Sequence, residues 1–173
     1  MKNKALYVTI FLILVFLGIM LFSLFKPKSI ENTKIIEKKI PEFSLKILNS
    51  SEQLSHKTLS SDKFALLNFF ASWCTSCIAE NADLLDLGKN NKINIYGIAW
   101  HDDEKTLTKW LNKNGNPYKK VAIDNEGSLE INLGLTGVPE TFLVKNGKEV
   151  IFHQKGPLTP EIINQEILPL IKN

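Results

Sequence analysis

The only two cysteines of the chain stand two residues apart in Trp73-Cys74-Thr75-Ser76-Cys77, directly after the apolar run Phe64-Ala-Leu-Leu-Asn-Phe-Phe70 and directly before a helical pattern. A buried strand that hands a Cys-x-x-Cys pair to a helix N-terminus is the local architecture of a reversible dithiol/disulfide centre. In that layout Cys74 sits where unpaired backbone N–H groups and the helix dipole favour a thiolate. Cys77, one turn further in, is the less exposed partner, which resolves a mixed disulfide and yields a redox disulfide Cys74–Cys77. Trp73 is expected beside the sulfurs, limiting access to them.

Other uses of a cysteine pair have to be weighed. A structural zinc needs four ligands, and neither a second Cys-x-x-Cys nor a paired histidine exists among His56, His101 and His153. A static bridge across two residues closes a very short loop and constrains the unfolded chain little. A Cu(I)-carrying chaperone using Cys74 and Cys77 is the rival from another class. Such carriers have a wider cysteine spacing and a distal histidine, so the two-residue gap argues against it. No dissociable cofactor and no metal are expected.

The N-terminus is a separate physical object. Ala5–Phe25 is an uncharged run of 21 residues, ~31 Å as a helix, against a hydrocarbon core of ~30 Å. It ends in Leu21-Phe22-Ser23-Leu24-Phe25, without the small-residue pattern of a cleavage site. This reads as a transmembrane signal anchor with its flanks over 1–28, inserted in the lipid bilayer through Ala5–Phe25. A polar, lysine-rich linker over 29–40 follows, then one domain over 41–173. Lys2 and Lys4 precede the run while Lys26 and Lys28 follow it, so charge bias is slight. The short N-terminal stub favours export of the long C-terminal part. Without residues 1–28 the chain has 17 lysines against 18 acids and no arginine. Nucleic-acid binding is excluded on both counts.

Along the domain, 41–48 alternates as an edge strand and 49–62 reads as loop, while 64–70 is a buried parallel strand. A helix over 77–87 would bury positions 78, 79, 82, 84, 85 and 87, with Gly88 ending it. A strand over 93–99 precedes a helix through Asn114, which buries Leu107, Trp110 and Leu111 behind the acidic start Asp102-Asp103-Glu104. Further elements are a strand at 121–124, a helix at 128–133 ended by Gly134, and strands at 141–145 and 149–154 joined at Asn146-Gly147. A last helix is capped by Thr159 and begins with Pro160. The alternation implies an α/β fold with a mixed sheet.

A second signal lies 62 residues after Cys77, in Gly134-Leu-Thr-Gly-Val138-Pro139-Glu140-Thr-Phe-Leu-Val144, where a proline immediately precedes a buried strand. With the cysteine pair, this segment resembles the thioredoxin superfamily, in which such a proline is cis and faces the two sulfurs. The resemblance implies a cis Val138–Pro139 bond and a Val138 backbone offered to an extended substrate. The room for two strands and two helices over 93–133 is similar to the TlpA/ResA branch, a thioredoxin-like fold with an extra strand–helix insertion between the active-site helix and the cis-proline. Gly115-Asn-Pro-Tyr118, Asp124-x-x-Gly127 and Gly134-x-x-Gly-x-Pro-Glu-Thr-Phe142 resemble the DsbE (CcmG) family. That resemblance implies a periplasm-facing thiol:disulfide oxidoreductase, single-pass in the inner membrane. Its expected clients are apocytochrome c or a thiol protein of cytochrome c maturation, and its expected reductant is a membrane electron donor of the DsbD/CcdA type.

Two departures matter. Thioredoxins carry a buried aspartate six residues before the first cysteine, where this chain has Asn68. An amide accepts no proton at working pH, so Glu80, at i+3 from Cys77 on the same helix face, is the candidate catalytic base. With it the catalytic set is Cys74, Cys77 and Glu80. Trp73, Val138, Pro139 and Glu140 form the candidate substrate-binding set, Glu140 because the family associates an acid after the cis-proline with the active site. The other departure is Thr75-Ser76, whose hydroxyls stand where many relatives carry a proline. His101 reads as a surface histidine, and Trp100 and Trp110 as core aromatics.

Overall fold

The structure, a computed structural model, describes residues 2–25, 38–89 and 93–172, in two units, Met1–Asn32 and Thr33–Asn173. The first unit contains helix α1, Lys2–Phe25. Its side chains are described without a break from 6 to 22, roughly 25 Å of helix, and its large apolar side chains there are exposed. Among the described residues no helix is long and apolar enough to cross a membrane. Lys26, Lys28 and most of the expected linker, 29–37, lie outside the described residues.

The second unit is built on a six-stranded mixed sheet in the order β1-β8-β7-β4-β5-β6. Its centre is β4, Phe64–Phe70, where every residue is buried, as a strand covered on both faces requires. It runs parallel to β5, Asn94–Trp100, and antiparallel to β7, Glu140–Lys145. Strand β6, Lys120–Asp124, extends the parallel half. Strand β8, Glu149–Lys155, pairs antiparallel with β7 across the Asn146-Gly147 turn, where both residues take the positive φ that a tight hairpin demands. The edge strand β1, Lys38–Lys39, pairs with β8, and the Ile40 N–H donates to the Lys148 carbonyl. The sheet therefore begins inside the segment expected as linker, because residues 38–40 find backbone partners there.

The expected edge strand at 41–48 is shorter and belongs to a second sheet. Strand β2, Ser44–Lys46, pairs with β3, Gln53–Ser55. Helix α2, His56–Leu59, follows, capped reciprocally by Ser55 and Thr58. The stretch 49–62 is thus not simply loop: Leu54 and Leu59 are fully buried within it.

Between β4 and β7 lie α3 (Thr75–Lys89), β5, α4 (Glu104–Asn114), β6 and α5 (Ser128–Leu133), two strands and three helices in the expected order. Helix α4 is capped by Asp103, which accepts the Thr106 N–H, and α5 ends at a left-handed Gly134. The C-terminal helical run starts at Thr159 as α6 (Pro160–Ile162), widens to a π-helical turn over Ile163–Ile167 and finishes as α7 (Leu168–Ile171). Pro169 accounts for the widening: it has no N–H for the ladder and its ring crowds the preceding turn.

Each face of the sheet has its own core. Leu66, Phe70, Leu84, Leu107, Trp110 and Leu143 share one with both cysteines, while Leu54, Leu67, Phe69, Leu129, Phe142 and Val144 fill the other. Helix α3 departs from expectation. It buries Cys77, Glu80, Asn81, Leu84 and Leu87, whereas Ile78, Ala79 and Ala82 are exposed, and it continues past Gly88. Two polar residues hold the inward positions that an apolar pattern would have given to others.

Candidate active site

The sulfurs are delivered by the β4–α3 junction. The Asp102 carboxylate, at the end of β5, accepts the Ser72 hydroxyl at 2.8 Å and also the Ser72 N–H, tying the turn before the cysteines to the neighbouring strand. Asp102 therefore acts as a clamp, not as part of the first turn of α4. Cys74 takes the N-cap position of α3. Its carbonyl accepts the Ile78 N–H, and its sulfur accepts the Cys77 N–H at 3.1 Å. This is the orphan donor that a capping oxygen would otherwise take, and a thiolate at the same place would be favoured by it.

Cys74 and Cys77 form a disulfide with Cα atoms 5.3 Å apart. Their residue exposures are 5% and 2%, so Cys74 is slightly the more open. The Val138–Pro139 peptide is cis, and the Val138 carbonyl oxygen lies 3.7 Å from the Cys74 sulfur. Trp73 is 58% exposed. Its indole N–H donates to the His101 carbonyl at 3.2 Å, and its ring lies 5.8 Å from that of Trp100. Trp100 in turn donates to Glu130, which is 3.6 Å from the half-exposed His101 ring. Trp110 is a core aromatic and His101 an exposed histidine, as expected, whereas Trp100 is half-buried and packs against Trp73.

Glu80 is 1% exposed, one helical turn beyond Cys77. One carboxylate oxygen accepts the Asn68 amide at 2.9 Å and the other the Leu158 N–H at 2.7 Å. Burial pushes its pKa up to about 7, against the smaller lowering effect of those two hydrogen bonds. A carboxyl poised there exchanges a proton near neutrality. Asn68, six residues before Cys74, is thus hydrogen-bonded to Glu80.

Glu140 lies on the opposite face of the sheet. It is 2% exposed, and its carboxylate accepts the Thr136 N–H at 2.7 Å, the Thr136 hydroxyl at 2.6 Å and His153 Nε2 at 2.6 Å. Burial would raise its pKa, but His153 and Thr136 outweigh it and hold the carboxyl below its ordinary value. Glu140 does not line the surface around the sulfurs. It fastens the segment that ends in Val138.

Sequence reasoning missed Tyr118, Thr141, His153, Asp102 and the Leu158 N–H. Strand alternation carried part of the signal: Thr141 is inward on the cysteine face, so Glu140 and His153 meet on the other.

Residues 36–153 match the AhpC/TSA family. The chain is 32% identical to the thiol:disulfide interchange protein DsbE of Escherichia coli (strain K12), over 98% of this chain and 95% of that protein. It is also 32% identical to the thiol:disulfide interchange protein HelX of Rhodobacter capsulatus, over 80% and 78%. Among solved structures, a secreted thiol-disulfide isomerase from Corynebacterium glutamicum superposes with TM-score 0.71 at 16% identity, covering 86% of this chain and 97% of that one. A thiol-disulfide oxidoreductase from Bacteroides fragilis does so at 0.66 and 23%, covering 77% and 99%. The chain belongs to the thioredoxin-like AhpC/TSA family and, within it, to the DsbE thiol:disulfide interchange proteins, which makes it a thiol-disulfide oxidoreductase.

Proposed function

We propose that the chain reduces a disulfide in the haem-attachment motif of apocytochrome c, or in a thiol protein of cytochrome c maturation, on the periplasmic side of the inner membrane. The observation that carries the redox part is the Cys74–Cys77 disulfide at the start of α3, with the Val138 carbonyl 3.7 Å from its outer sulfur. The uncharged run Ala5–Phe25 supports a single-pass anchor over 1–28. The likeness to DsbE and HelX supports the choice of pathway.

In the reduced enzyme the Cys74 thiolate attacks the client disulfide, and one client sulfur leaves as thiolate. Cys77 gives its proton to the Glu80 carboxylate and attacks the Cys74 sulfur. The Cys74–client bond breaks, the second client thiolate leaves, and the Cys74–Cys77 bond forms. Two electrons pass to the client, and a membrane donor of the DsbD/CcdA type returns two. Trp73, Val138 and Pro139 frame the approach of the client backbone, and Glu140 supports that frame from beneath through Thr136.

The test is a trap. Cys77→Ser should accumulate a mixed disulfide between Cys74 and its client in membranes, while Cys74→Ser should accumulate none. Mass spectrometry of the trapped species names the client. A trapped protein without a haem-attachment motif or a role in cytochrome c maturation removes the pathway assignment, and equal trapping by both variants removes the order of attack.

A further inference from the structure

The Glu80 carboxyl does not stand alone. An amide side chain offers one accepting oxygen and two N–H donors, so its orientation decides what a neighbour meets. Asn68 is fully buried. Its Oδ1 accepts the Tyr118 hydroxyl at 2.7 Å, and its Nδ2 donates to Glu80 Oε1 at 2.9 Å and to Thr141 Oγ1 at 2.9 Å. In the reversed orientation the amide oxygen would face the carboxylate, and the buried phenol would have to accept from the NH2, giving up the acceptor of its own proton. The phenol therefore selects the orientation that gives Glu80 a donor. Burial holds the Tyr118 phenol far above its ordinary range, so its proton stays in place.

The ring itself is placed by shape. It stacks on Phe70 at 4.6 Å, above Gly97, where a Cβ would come within 2.9 Å of the Tyr118 ring and 2.8 Å of Phe70. The Tyr118 N–H donates to Asn116 Oδ1 at 3.0 Å, which fixes the chain entering β6.

We propose that Tyr118 is a positioning residue for the redox reaction: by locking the Asn68 amide it holds the Glu80 carboxyl in its proton-accepting state and sets the pH at which Cys77 attacks. This rests on Glu80 being the proton acceptor of Cys77. The ionisable groups near Glu80 are Cys77 and Asp83 on its own helix and Tyr118 ahead of β6; β4, β7 and the segment before α6 contribute the neutral Asn68, Thr141 and Leu158 N–H.

The test uses the full-length chain in detergent and follows oxidation of its dithiol by oxidised glutathione from pH 5 to 9. Tyr118→Phe keeps the ring and removes the hydroxyl. The step in rate that Glu80→Gln abolishes should move upward by about one pH unit, leaving the rate about tenfold lower well below pH 7, about fivefold lower at pH 7 and nearly restored at pH 9. Asn68→Leu, a second route to the same loss, should move it in the same direction. An unmoved step in Tyr118→Phe, or a rate lowered by the same factor at every pH, overturns the positioning role while Glu80 keeps its own. A step that survives Glu80→Gln overturns both, and thereby marks the proton acceptor as the failing part.

Discussion

The two faces of the sheet each bury one glutamate, 1% exposed at Glu80 and 2% at Glu140, and treat it in opposite ways. Glu80 receives two neutral donors, an amide and a backbone N–H, and burial wins, leaving its carboxyl at about 7. Glu140 receives three donors, one from an imidazole that also stacks on Phe142 at 4.0 Å, and these outweigh burial. Equal exposure with unequal surroundings, Glu140 being held by the exposed Thr136 and by His153, gives one acid able to trade a proton at neutral pH and one held as a carboxylate. Donor number and kind decide the protonation state, and the sheet keeps the two environments apart.

The largest test of this contrast removes the fixed member. Glu140→Ala strands the His153 ring in the interior and releases the exposed Thr136 from its acceptor, which should cost roughly 3–5 kcal/mol in denaturant unfolding, most of it from the buried pair. It should slow exchange evenly across pH, since Glu80 retains its own partners. A pH-selective loss would mean that the two faces are coupled.

The next effect separates the signs of the two shifts. A folded-state pKa raised from 4.5 to about 7 makes the native state hold a proton that the unfolded state has released. That contribution is fully present below pH 4.5 and is lost as pH rises through 7. Relative to Glu80→Gln, the wild-type chain should therefore lose about 3 kcal/mol of stability between pH 4.5 and 8. For Glu140, whose carboxyl is held low, the contribution is present above the unfolded value and lost as pH falls through the folded one. Relative to Glu140→Gln, the wild type should lose stability only on the acid side. Parallel pH curves for the two pairs would break the comparison.

The smallest effect serves as a control. Asp103 caps α4 and neighbours neither glutamate. Asp103→Ala should cost about 1 kcal/mol and leave the pH dependence of both pairs in place.

Much of this was legible in the residues. The cysteine pair after an apolar run, the proline before a buried strand, the Asn146-Gly147 turn and the Asp103 and Thr159 caps are local signals, and each element stands where its signal put it. Long-range partnership is what the chain did not announce. Helix α3 was expected to turn Ile78, Ala79 and Ala82 inward, yet Glu80 and Asn81 point in, because partners far away in sequence satisfy them: Asn68 and Leu158 for one, the Asn114 carbonyl for the other. Strand β3 and helix α2 hid in a polar tract because only Leu54 and Leu59 needed burial there. Glu80 was found through spacing on its own helix, whereas Tyr118, 50 residues from the amide it binds, carried no such clue.

With Cys74 capping the helix that Cys77 enters, both thiols of the chain lie within a single turn. Only one intramolecular pairing can exist, so air or an oxidant cannot scramble this protein into a misbridged isomer. The loop enclosed is too short to tether distant segments. Oxidation state thus works as a local setting on a scaffold assembled by other means, and the molecule can cycle between its two forms without rebuilding itself.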